Sequence, residues 1–126
     1  MKPLLSPLLT AVLAVSLTAA LAAPAAAEYK CQDNRVEKGG STQFTIHRSG
    51  GDITIEKGGS TKGKAVQRGS KLDVEVGGST KATIENGKIY KGGSTWASVS
   101  DAQREFNCDP SVAATLWVLF QINVLP

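Results

Sequence analysis

The sequence predicts a mainly β fold: a closed or radial array of short antiparallel hairpins, followed by a short helical C-terminal segment. Three observations predict it. Gly-Gly-Ser-Thr occurs four times, at 39–42, 58–61, 77–80 and 92–95. Around these copies apolar and polar residues alternate with period two, the mark of strands with one buried face. All 13 glycines lie between Gly39 and Gly93, and no proline falls between Pro24 and Pro110. A ladder strand needs its N–H groups, so a proline-free, turn-rich middle suits a sheet.

The four copies set the strands. Val36, Ile55, Val74 and Ile89 each stand three positions before a Gly-Gly pair. If Gly-Gly-Ser is a three-residue loop, Lys38 pairs with Thr42 and Val36 faces Phe44. The same rule sets Ile55 against Gly63, Val74 against Ala82 and Ile89 against Ala97. A two-residue Gly-Gly loop would slip the register by one, set Val36 against Gln43 and turn one face inside out, so the three-residue loop is expected. Between the units, two-residue loops at Ser49-Gly50, Arg68-Gly69 and Asn86-Gly87 set Ile46 against Ile53, Ala65 against Leu72 and Ile84 against Ile89. Asn-Gly is the strongest short hairpin signal among them. Seven turns give eight strands between about residues 34 and 99. The inner positions Gly63, Ala65, Ala82 and Ala97 are small, as an array narrowing toward an axis requires.

The N-terminal residues read as an address. Lys2 precedes an apolar run rich in Leu, Ala and Val, and Ala25-Ala26-Ala27 offers a small-residue cleavage site before Glu28. This is the pattern of a secretory signal peptide over 1–27, cut after Ala27. A membrane anchor of about 20 residues is the other reading of such a run. Cleavage leaves 99 residues: a hairpin repeat domain over 28–99 and a C-terminal segment over 100–126 that packs on it. The expected location is secreted or periplasmic, with no transmembrane span in the mature chain. The formal charge of +3 on 126 residues is too slight and too mixed for a nucleic-acid binder.

Cys31 and Cys108 are the two cysteines. In an oxidising compartment an even pair forms one disulfide. It would close a long loop, stabilising by about 4–5 kcal/mol in the chain-entropy model. Free or metal-binding thiols are the alternative, but the chain offers one histidine as a further ligand.

The segment Asn86-Gly87-Lys88-Ile89-Tyr90-Lys91-Gly92-Gly93-Ser94 resembles the unit of the β-flower repeat proteins, the 5-fold type in particular. The resemblance covers roughly residues 34–99. It implies a small secreted bacterial protein of radially arranged hairpins, and it brings neither an established activity nor catalytic residues. Four units stand here instead of five. The fifth place falls to the terminal segments, or the resemblance is to the repeat alone.

In the C-terminal segment, Ser100 with Gln103 has the spacing of a capping box, predicting a helix over about 101–106. Asp109-Pro110 opens a second helix over 112–120, with aspartate as cap and proline at the first position. Residues 119–125 are ambiguous, because Phe120, Ile122 and Val124 alternate as in a strand. As a helix, residues 112–125 would be about 21 Å long, too short for a bilayer. It covers the β array as core, or it presents Trp117 and Phe120 to a partner or a membrane surface.

No catalytic set is visible. Residues 58–65 nearly spell a phosphate-binding loop, but Ala65 stands where a hydroxyl should reach magnesium. His47 lies on the outer face beside Arg48, without a nucleophile elbow. Glu37, Glu56 and Glu75 recur at repeat spacing, as an acidic stripe, a carboxylate pair, or partners of neighbouring cations. Neither metal nor cofactor is expected. The ligand candidates are Tyr90 and Trp96, read as nearly opposite each other on the outer face, with Ser94 and Thr95 at the turn between them. They suit stacking on a sugar or a peptide ring, or a cross-strand pair that steadies one hairpin. The expected function is a non-enzymatic structural or ligand-binding module, its partners a glycan, a peptide or another secreted protein. An inhibitor or adaptor is the alternative, and a small hydrolase a third. Monomer and homo-oligomer are both open.

Overall fold

The computed structural model describes residues 28–126. The segment read as a signal peptide, with its cut after Ala27, lies outside the described residues. Ten strands and two helices follow in order: β1 (Tyr29–Gln32), β2 (Arg35–Lys38), β3 (Ser41–Ser49), β4 (Asp52–Lys57), β5 (Ser60–Arg68), β6 (Lys71–Val76), β7 (Ser79–Glu85), β8 (Lys88–Lys91), β9 (Ser94–Ser98), α1 (Val99–Glu105), β10 (Phe106–Asn107) and α2 (Pro110–Gln121). The strands form one sheet in the order β10-β1-β2-β3-β4-β5-β6-β7-β8-β9. The eight expected strands are β2 to β9. Both β1 and β10 escaped the sequence, being only 4 and 2 residues long.

The four Gly-Gly turns solve the register differently from expectation. Each loop has two residues, not three: Lys38 pairs with Ser41, Lys57 with Ser60, Val76 with Ser79 and Lys91 with Ser94. Both glycines of every pair have positive φ, from 59° to 85°, as a type I′ turn demands. A β-bulge then absorbs the odd residue, at Gln43, Lys62, Lys81 and Trp96. The inner pairs come out as the alternation requires: Val36 with Phe44, Ile55 with Gly63, Val74 with Ala82 and Ile89 with Ala97.

At the opposite edge, Asn86-Gly87 holds Ile84 against Ile89 as read. The other two loops sit one residue later than expected, at Gly50-Gly51 and Gly69-Ser70. Ile46 therefore meets Ile55 instead of Ile53, and Ala65 meets Val74 instead of Leu72. The pairing moves by two residues, which keeps every side chain on its face. In both loops only the first residue has positive φ, the type II′ requirement.

The sheet curls around α2. Val112, Ala113, Ala114, Thr115 and Leu116 are consecutive and all wholly buried, as are Val118 and Leu119. Five consecutive buried positions cover every side of a helix with 3.6 residues per turn. The hydroxyl of Thr115 donates to the carbonyl of Ser111 at 2.8 Å, which satisfies the one polar side chain of this run. The small inner residues of β5 and β7 serve this helix: Gly63, Ala65 and Ala82 let its side chains approach the sheet backbone.

The ladder is open, where closure was one expectation. β9 and β10 are its two edges and do not pair. The chain itself joins them, because β9 runs directly into α1 and α1 into β10. The backbone between the edges forms helix bonds instead of ladder bonds. Ser98, not Ser100, caps α1: Asp101 N–H donates to Ser98 Oγ at 3.1 Å, and Ser98 N–H donates to Asp101 Oδ2 at 3.3 Å. Beyond β10, the parallel register of Tyr29 with Phe106 and Lys30 with Asn107 leads directly to Cys31 and Cys108. These two form the expected disulfide, with Cα atoms 5.0 Å apart.

Asp109 caps α2 as read, accepting from Val112 N–H at 3.0 Å, and Pro110 takes the first turn. The ambiguity over 119–125 resolves as a helix end followed by a turn. Asn123 has φ 63°, while Val124 N–H donates to Leu119 C=O and Asn123 N–H to Phe120 C=O. This is a Schellman cap, with asparagine in the left-handed position.

Candidate functional site

The alternating turns place all four Gly-Gly tips at one edge of the sheet. Toward that edge neighbouring hairpins part. The ladder between β7 and β8 ends at Thr83–Tyr90, and that between β5 and β6 at Lys64–Glu75. A groove opens beyond each of these pairs. The larger, between the β6–β7 and β8–β9 hairpins, has a volume of about 490 Å3, lined by Lys71, Thr80, Lys81, Thr83, Glu85 and Tyr90. The second, of about 260 Å3, is lined by Thr61, Lys62, Lys64 and Glu75 with glycines of both hairpins.

The two grooves are repeat equivalents. Thr61 and Lys62 of one correspond to Thr80 and Lys81 of the other. Glu75 and Tyr90 also correspond, each two residues before a Gly-Gly pair. In the smaller groove the glutamate is occupied: Arg68 reaches Glu75 at 3.0 Å and Asp73 at 2.7 Å. Thr83 also donates to Asp73 at 2.9 Å. The Arg68 hydrogen bond holds the Asp73 carboxyl below its ordinary range, helped by the Thr83 hydroxyl. In the larger groove Tyr90 puts a half-buried ring where the other repeats have an acid. That ring among hydroxyls, two lysines and a carboxylate can stack on an apolar ring face while the rest donate and accept hydrogen bonds.

The structure separates the residues that the sequence grouped. Tyr90 lines the groove, and Ser94 and Thr95 are exposed at the tip beyond it. Trp96 does not stand on the outer face beside Tyr90. As the bulge residue it is re-aimed inward, and its ring meets Trp117 of α2 edge-on at 4.9 Å. Bulges redirect side chains in this way, and nothing in a strict alternation reveals it. Lys91 Nζ covers the same indole at 4.7 Å. Trp117 and Phe120, read as possible partner contacts, are engaged within the chain. Phe120 packs on Phe106 at 5.2 Å, Tyr29 at 5.4 Å and Phe44 at 5.8 Å.

Of the remaining candidates, Thr61, Lys62 and Lys64 of the stretch 58–65 line the smaller groove, and His47 and Glu37 line neither groove. His47 is exposed, with Nε2 3.2 Å from Glu56. Glu37 pairs with Arg35 at 3.3 Å. The stretch 58–65 is a hairpin turn entering β5, with no helix after it. Among the described residues no three histidines, cysteines or acids gather as metal ligands. No described helix is long and apolar enough to cross a membrane. No family model matches the chain, and no curated protein and no solved structure matches it either.

Proposed function

We propose that this is a secreted or periplasmic non-enzymatic β-repeat protein whose hairpin array presents a binding groove for a polar ligand, a glycan or a peptide. One observation carries the reading: the exchange of glutamate for Tyr90 in the larger of two repeat-equivalent grooves. A repeat that served shape alone has no need of an aromatic ring at the one position where the other three units carry glutamate. The disulfide fits an oxidising compartment. Four repeated hairpins packed with a buried helix are what supports the resemblance to the β-flower repeat proteins.

The test is an array of neutral and charged glycans and short peptides, read with the oxidised mature chain and with Tyr90→Ala. The reading requires at least one ligand held by the parent and lost from the variant, with the variant still cooperatively folded. If every ligand the parent holds is held equally by the variant, the groove is removed from the account.

A further inference from the structure

The Gly-Gly edge carries a second feature, which reaches beyond the Tyr90 groove and shares Lys81 with it. The four tip segments 38–43, 57–62, 76–81 and 91–96 hold five lysines and no acidic residue. Lys38, Lys57 and Lys91 stand just before a Gly-Gly pair, while Lys62 and Lys81 occupy bulge positions. Every hairpin thus has a lysine within three residues of its turn. Three of these are ordered on aromatic rings: Lys38 Nζ lies 5.3 Å from the Tyr29 centroid, Lys57 5.7 Å from Phe44 and Lys91 4.7 Å from Trp96. Lys38 also meets Glu28 at 3.5 Å. The glutamates nearest the tips are engaged by other cations, Glu37 by Arg35, Glu56 by His47 and Glu75 by Arg68. The opposite edge is mixed, with Asp33, Asp52 and Glu85 among Arg35, Arg48, Lys71 and Lys88.

We propose that this edge is a docking surface for an anionic polysaccharide, a chain carrying carboxylate or sulfate groups at regular intervals. The lysines are spread over four hairpins instead of converging on one pocket, so they fit repeated charges along a polymer better than one small anion. Exposed serine and threonine hydroxyls and positive-φ glycine turns alternate with them, supplying hydrogen bonds for sugar hydroxyls. The tips are Gly-Gly-Ser-Thr without an apolar side chain, so nothing there inserts into a bilayer. The rings beneath are capped by lysines or packed on α2, so they offer no open platform for bases.

The experiment measures binding of the oxidised mature chain to polygalacturonate and dextran sulfate, with neutral dextran, phosphatidylglycerol vesicles and duplex DNA as competitors. Affinity for the anionic polysaccharides should fall steeply with salt. The triple variant Lys57→Gln, Lys62→Gln, Lys91→Gln should weaken it roughly ten- to hundredfold, by analogy with charge neutralisation on nucleic acids. The same three positions as arginine should restore it. Lys88→Gln, beside the Asn86-Gly87 turn at the opposite edge, should change it by less than about twofold, because charges beyond a Debye length are screened. Equal binding by a folded triple variant overturns the proposal, as does tighter binding to vesicles or DNA, or no binding to either polysaccharide. If the triple glutamine variant fails to fold, Lys62→Gln alone takes its place: a smaller loss of affinity supports the proposal, and unchanged affinity overturns it.

Discussion

Gly63 and Leu119 meet where no further side chain fits: a Cβ built on Gly63 would lie 2.6 Å from Cδ2 of Leu119 and 3.3 Å from the carbonyl oxygen of Glu75. The other repeats put Phe44, Ala82 and Ala97 at this position. The repeat is therefore not symmetric inside. Its inner residues shrink on the strands that approach α2 most closely, and the helix decides where.

Gly63→Val should destabilise the fold by about 1–3 kcal/mol, the usual cost of overpacking a tight core. Leu119→Ala alone should cost about 2–5 kcal/mol. Combined, the two should cost less than their sum, since each relieves the other. Urea unfolding of the four proteins checks this, and strict additivity would mean that the two side chains do not share the space.

Much of this architecture was legible. Val36, Ile55, Val74 and Ile89, read against the Gly-Gly-Ser-Thr spacing, fixed which residues face inward and which partner they meet. The turn detail was less legible, because a three-residue loop and a two-residue turn plus bulge give the same inner pairs. The bulge still matters, since it sends Trp96 to Trp117 instead of leaving it beside Tyr90. Ser98 was missed as a cap because Asp101, not Gln103, completes its box. β1 and β10 depend on pairing across the disulfide, which no local pattern encodes. Of the candidate groove, sequence pointed to Tyr90 but not to Lys71 or Glu85, which the curl of the sheet brings alongside.

Trp96→Ala should behave as a core deletion, costing about 2–4 kcal/mol and changing the emission of Trp117. Tyr90→Ala should cost less than about 1 kcal/mol. Thermal melts followed by fluorescence distinguish the two. A Trp96 variant as stable as the parent would return that side chain to the surface.

Reduction of Cys31–Cys108 should lower stability by about 4–5 kcal/mol, because the bridge closes a 77-residue separation in the unfolded chain. Denaturation with and without reductant measures it. The first region to loosen should be β1 with β10, whose ladder has two pairs.

Acid should weaken the outer face through Asp73. Its folded carboxyl is held below the ordinary value of 3.8 by Arg68, so its stabilising contribution is fully present above that value. The contribution is lost as pH falls through the folded value. Asp73→Asn should therefore flatten the stability curve below about pH 4 and lower it at neutral pH. A parent and variant with parallel acid limbs would show that Arg68 and Asp73 do not interact in solution.

Asp109→Ala removes both the cap of α2 and the partner of Arg48, 2.8 Å away. Loss of the cap should cost about 1–2 kcal/mol. Asp109→Asn, which can still cap, should recover most of it. Chemical denaturation reads the difference, and equal losses would assign the effect to the ion pair.

The central claim is that the repeat is wound around α2 as its core. Amide hydrogen exchange of the oxidised mature chain tests it most directly. The account predicts that Leu116, Val118 and Leu119 exchange only through global unfolding, as slowly as the slowest amides of β4 to β7. Exchange of these helix amides far faster than those strands, with the sheet still protected, would contradict it and make α2 an appendage to a self-sufficient sheet.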